Sequence, residues 1–135
     1  MNLRALFSIA LLGVYVLLGC TRSDGKLNIT GKVLKNGAPL RVPEEEYVRI
    51  TFFPVTADSS PPKNTYAADY DRGSGTFRAT GGDGKGVPPG KYRVAVEHVK
   101  NGGDALKGAY DGDRSPILVD VDRQTRPLVI DLDKK

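Results

Sequence analysis

From Leu27 onward, apolar and polar side chains alternate with a period of two. Leu27, Ile29, Gly31 and Val33 share one parity, and Asn28, Thr30 and Lys32 take the other. Val48, Ile50 and Phe52 alternate with Arg49, Thr51 and Phe53, and Tyr92, Val94 and Val96 alternate with Lys91, Arg93, Ala95 and Glu97. Toward the carboxyl end, Ile117, Val119 and Val121 repeat the pattern, as do Leu128, Ile130 and Leu132. Successive side chains of a strand point to opposite faces, so this alternation predicts strands with one face buried and one face wet. Two weaker strands are predicted over 65–70 and 75–79. Asn36-Gly37, Gly73-Ser74-Gly75, Gly81-Gly82-Asp83-Gly84, Pro88-Pro89-Gly90 and Asn101-Gly102-Gly103 supply turn chemistry between them. No helical period survives more than two turns, and 104–110 would make one turn at most. Seven short strands with frequent turns predict an all-β fold, a seven-stranded antiparallel β-sandwich. The Pro61-Pro62 region, 56–64, reads as a mobile loop between two strands.

The amino-terminal segment follows a different pattern. After Arg4, residues 5–18 form a run of 14 almost unbroken apolar residues without charge. A spanning helix needs about 20 apolar residues, whereas the apolar region of a signal peptide runs about 7–15 with small residues at the cut. Val16-Leu17-Leu18-Gly19-Cys20 resembles the lipobox of bacterial lipoproteins. The resemblance implies thioether lipidation of Cys20, cleavage after Gly19 and acylation of the new amino terminus. A plain secretory signal or a short uncleaved anchor would also carry such a run, but the sole Cys of the chain stands at the lipobox position. The expected organisation is a cleaved lipoprotein signal peptide over 1–19, a lipidated Cys20 with a short tether over 20–26, and a β-sandwich domain over 27–135. The tether reaches at most about 20 Å at roughly 3.3–3.6 Å per residue. The partner implied is a membrane held through Cys20, with the domain outside the cytoplasm, on the periplasmic or cell-surface side.

Removing residues 1–19 from the 135 leaves 116, enough for one domain. Net charge then falls from +4 to +3, because Arg4 is the only charged side chain lost. That excess is slight and scattered, which argues against a nucleic-acid partner. One Cys, one His and no Trp exclude an internal disulfide, a four-ligand zinc site and a Cys–His catalytic centre.

The order of the strand motifs is itself informative. Ile29-Thr30-Gly31-Lys32-Val33 followed by Asn36-Gly37-Ala38-Pro39-Leu40 resembles the opening of carboxypeptidase regulatory-like domains. Val48-Arg49-Ile50-Thr51-Phe52-Phe53-Pro54, Asp71-Arg72-Gly73-Ser74-Gly75-Thr76-Phe77 and Pro89-Gly90-Lys91-Tyr92-Arg93-Val94 are similar to their later elements. The resemblance spans about 29–132 and implies a transthyretin-like (prealbumin-like) Greek-key sandwich. Such domains serve as accessory, stabilising or binding modules. Among transthyretin-like relatives, hydroxyisourate hydrolases end in a Tyr-Arg-Gly-Ser motif, and intradiol dioxygenases hold iron with two Tyr and two His. This chain ends in Leu132-Asp133-Lys134-Lys135 and has one His, so neither chemistry is expected.

The remaining candidates are weighed residue by residue. Asp69 and Asp71 stand two apart before a glycine turn, and Asp111 and Asp113 repeat the spacing. Closely spaced Asp can serve calcium, but Asp is also a common turn former, and the latter reading is preferred. Gly81-Gly82-Asp83-Gly84-Lys85-Gly86 is followed by Val87-Pro88-Pro89 instead of a helix, so a phosphate loop is not expected. His98 reads as a strand-end or rim histidine, and Glu44-Glu45-Glu46 as a solvated connection. The expectation is a non-enzymatic, cofactor-free envelope module, structural or binding, with an envelope protein or polysaccharide as the partner class. The alternative is a lipoprotein that binds a sugar, small molecule or calcium through loops at one end, with Tyr47, Tyr66 or Tyr70 as stacking faces.

Overall fold

Parity decides burial along the long strands. In β1 (Ile29–Lys35), Ile29, Gly31 and Val33 are buried while Thr30 and Lys32 are exposed. In β3 (Tyr47–Pro54), Val48, Ile50 and Phe52 are buried between exposed or half-buried neighbours. These assignments come from a computed structural model that describes residues 25–57 and 64–134. The expected signal segment, Cys20 and most of the 56–64 loop lie outside the described residues.

The remaining strands are β2 (Ala38–Pro39), β4 (Tyr66–Asp71), β5 (Thr76–Ala79), β6 (Gly90–Lys100), β7 (Gly103–Asp104), β8 (Leu118–Val121) and β9 (Leu128–Asp131). No helix occurs among the described residues. Two short hairpins extend the expected set. Asn36 and Gly37, at φ 54° and 73°, join β1 to β2, and Asn101 and Gly102, at φ 51° and 76°, join β6 to β7. Positive φ at both central residues is the type I′ geometry whose twist matches the flanking strands, which is why Asn-Gly stands at both places.

The hydrogen-bonded path runs β2-β1-β5-β4-β3-β6-β7, with β8 also on β6 and β9 also on β1. The result is an all-β, largely antiparallel sheet of seven strands along that path, curled into a half-barrel. Along β4 the pairing partner changes. Residues 66–68 pair with β3, residues 68–71 pair with β5, and Ala68 is shared between Ile50 and Ala79. One pairing departs from the antiparallel expectation: β9 runs parallel to β1, Gly31 opposite Leu128 and Leu34 opposite Asp131. Period-two alternation reads the same in either direction, so strand polarity was not encoded in it.

The inward-facing side chains of the strands form the core. Phe52 packs against Phe77 at 6.4 Å and against Tyr92 at 6.1 Å, and Tyr66 stacks edge-on to Tyr92 at 5.9 Å. Each such side chain contributes about 1.5–3 kcal/mol of burial. Loop residues complete the core: Leu40, Val42 and Val87 are all buried. Their backbones are paired as well, Leu40 N–H to Val33 O, Val42 N–H to Arg72 O, and Leu27 with Val87 in both directions.

Candidate functional site

The outward face of β4, β5, β1 and β9 forms a groove of about 870 Å³. The groove is open, nearer to an exposed sheet face than to an enclosed cavity. Strand register fixes its chemistry as two rungs. Asp69 stands opposite Arg78, which stands opposite Thr30. In the next rung Asp71 faces Thr76, Thr76 faces Lys32, and Lys32 faces Val129 of β9. Acid therefore lies on the β4 side, base in the middle, and an apolar lip of Pro127, Leu128 and Val129 on the far side. Asp69, Lys32 and Arg78 form no ion pair with any described residue.

Asp71 is partly committed. Its Oδ1 accepts the N–H groups of Gly73 at 2.8 Å and Ser74 at 3.1 Å, closing the β4–β5 turn. Asp111 makes the same kind of turn, its Oδ1 accepting from the N–H of Asp113 at 3.1 Å and of Arg114 at 2.7 Å. Arg114 Nε donates to Asp111 Oδ2 at 2.8 Å, and this bond is the main reason the Asp111 carboxyl is held below its ordinary range. Asp69 and Asp71 line the groove, whereas Asp111 lines a separate small pocket with Arg49 and Thr51. The two aspartate pairs are thus not brought together. Among the described residues, no group of three or more His, Cys, Asp or Glu could hold a metal ion.

A second cluster was not foreseen. Glu46, read from sequence as part of a solvated acidic run, is only 8% exposed. Its Oε2 lies 2.6 Å from His98 Nε2, and its Oε1 accepts from Lys100 Nζ at 3.0 Å. The hydrogen bond to His98, then that to Lys100, holds the Glu46 carboxyl below its usual range. His98 does stand near the end of β6, but it faces inward and is buried. Its Nδ1 has no hydrogen-bond partner among the described residues. Asp104 braces the same corner. Burial alone would raise its carboxyl, but N–H groups of Leu106, Gly108 and His98 donate to it and bring it below the ordinary value. Nothing local in the acidic run signals this: the contact joins residues 52 apart in sequence.

The tyrosines are mostly structural. Tyr70 Oη donates to the Leu40 carbonyl, and Tyr66 packs edge-on against Tyr92, and both rings are half-buried. Burial pushes the phenols of Tyr70 and Tyr92 up to about 12. Only Tyr47 remains exposed of the three candidates, with the Arg49 guanidinium 5.7 Å from its ring centre.

Compared with known proteins, the chain matches no family model, no curated protein and no solved structure.

Proposed function

We propose that the chain is a membrane-anchored, non-enzymatic lipoprotein whose domain acts as a binding module of the cell envelope. The single observation that carries the binding reading is the groove on the outer face of β4, β5, β1 and β9, where charges of both signs that make no ion pair among the described residues lie beside an apolar lip. Thr, Lys, Arg and Asp presented singly on a sheet face suit recognition; the only His is turned into the core instead. The anchor is read from Leu18-Gly19-Cys20, which leaves a short tether before β1. The fold is read as a transthyretin-like sandwich. Its two layers would be β9-β1-β5 with the end of β4, and the start of β4 with β3-β6-β8, joined where β4 changes partner at Ala68.

Affinity capture from envelope extract tests the reading. Wild-type protein should retain a component that the Lys32→Ala/Arg78→Ala double variant loses. Equal retention by both, or none by either, would count against the groove as the binding surface.

A further inference from the structure

We infer that the groove accepts a short peptide with free termini, about three residues long, its amino end at Asp69 and Asp71 and its carboxylate at Lys32 and Arg78. This rests on the binding-module reading and names the ligand class of that same site. Four observations carry it.

Charge is the first. Lys32 and Arg78 lie on neighbouring strands at diagonal positions, since Lys32 pairs with Thr76 and Thr30 pairs with Arg78. Long side chains at diagonal positions reach one another, so both cations can close on a single carboxylate. Asp69 stands directly opposite Arg78, yet the two form no ion pair, which leaves both charges available to a ligand.

Span is the second. Along the second rung, Asp71 and Lys32 are separated by β5, two strand spacings, or about 10 Å at 4.7–4.9 Å each, while Asp69 and Arg78 on the first rung stand one spacing apart. Three extended residues cover about 10–11 Å at 3.3–3.6 Å each. Between the charged ends lies Thr76, whose hydroxyl can bond a peptide group while it shares a hydrogen bond with Ser74 Oγ at 2.7 Å.

The third observation is the apolar lip. Val129 is 57% exposed and follows Lys32 along the second rung. An apolar side chain next to the ligand's carboxylate would rest there.

The last observation concerns what the groove lacks. Phe77 is buried, and Tyr70, half-buried at the groove, has its hydroxyl tied to the Leu40 carbonyl, so the exposed groove lining is charged and aliphatic more than aromatic. The acidic β4 side likewise opposes an anionic lipid surface.

Isothermal titration of the full-length protein in detergent decides the matter, using the tripeptide Ala-Ala-Val in free, N-acetylated and C-amidated forms. The free peptide should bind, and blocking either end should weaken binding on the order of tenfold, the loss of one charged contact. Arg78→Gln should narrow the gap between the free and C-amidated forms and Lys32→Gln/Arg78→Gln should close it, while Asp69→Asn should narrow the gap between the free and N-acetylated forms. If Arg78→Gln lowers the melting temperature, Lys32→Gln tests the carboxylate arm, and if Asp69→Asn does, Asp71→Asn tests the amino arm. Blocked peptides binding as well as the free one, or no heat from the free peptide at millimolar concentration, would overturn the assignment. If the free peptide gives no heat while envelope capture still depends on Lys32 and Arg78, the peptide assignment falls and the binding-module reading stands. If capture fails too, both fall.

Discussion

Glu46 Oε2 lies 2.6 Å from Nε2 of His98, and neither side chain is more than 10% exposed. This contact ties the connection between β2 and β3 to the end of β6. Lys100 holds the other carboxylate oxygen from the solvent side, its own side chain 54% exposed. A buried carboxylate is stable only when its oxygens are satisfied, and here the His98 ring and the Lys100 ammonium satisfy them.

The pair makes stability depend on pH in a definite direction. Glu46 is held below its ordinary value of 4.5, so the unfolded chain takes up its proton at higher pH than the folded one. Its stabilising contribution is therefore full above about 4.5 and is lost as pH falls through the lower folded value. Urea denaturation across the acidic range should show stability falling there in wild type, with a shallower fall in Glu46→Gln. Identical slopes for the two proteins would remove Glu46 from the account.

Close packing at β1 leads to a sharper stability test. A Cβ on Gly31 would sit 2.5 Å from the Leu128 carbonyl oxygen and 2.5 Å from Phe77 Cζ. One neighbour is backbone of the adjacent strand and the other is a core ring, so neither can move cheaply. Gly31→Ala should cost about 1–3 kcal/mol through overpacking. Gly103 has nothing within 4 Å of the same construction, and Gly103→Ala should stay within about 0.5 kcal/mol of wild type. Thermal melts of the two variants compare them directly; equal shifts would contradict the contact at Gly31.

Local pattern was enough to read the strands and much of the core. Ile29, Val33, Ile50, Phe52, Tyr92, Val94, Val96, Ile130 and Leu132 are buried, each on the parity expected to face inward. The β1–β9 pairing was not legible, because neither the partner nor the polarity of a strand leaves a trace in its own alternation. Leu40, Val42 and Val87 were missed as core because they lie in turns and connections, where burial depends on what crosses over them. For the site, Asp69 and Asp71 were singled out, but as turn formers or calcium ligands. Their neighbours Lys32 and Arg78 come from distant strands and meet them only through register. Glu46 was misread for the same reason, since its partners lie on β6.

The acidic turns lead to a prediction about metal. Asp71 and Asp111 each spend one oxygen on backbone N–H groups, and Asp111 spends the other on Arg114. Calcium asks for six to eight oxygens, and displacing Arg114 would leave its guanidinium beside the ion. Chelator should leave the melting temperature unchanged, and millimolar calcium should not raise it. A ligand that binds only the folded state must stabilise it, so a calcium-dependent rise would return Asp69, Asp71, Asp111 and Asp113 to the metal reading.

The last prediction concerns Cys20, which lies outside the described residues and is argued from sequence. Three independent features converge on it. The apolar run over 5–18 has 14 residues and is short for a span, Gly19 offers a small residue at the cut, and the lone Cys is followed at once by polar Thr21-Arg22-Ser23. No helix among the described residues is long and apolar enough to cross a membrane. On the lipoprotein reading the acyl chains on Cys20 are the anchor. Each buried CH₂ contributes about 0.8 kcal/mol, and several chains together hold where one chain does not. In a bacterial host the mature chain should therefore begin at a lipidated Cys20 and partition with membranes. Cys20→Ser should block lipidation and leave an unprocessed or mislocalised precursor. Mass spectrometry of detergent-extracted protein reads the outcome directly: an unmodified Cys20 on a mature, water-soluble form would show the lipoprotein assignment to be wrong.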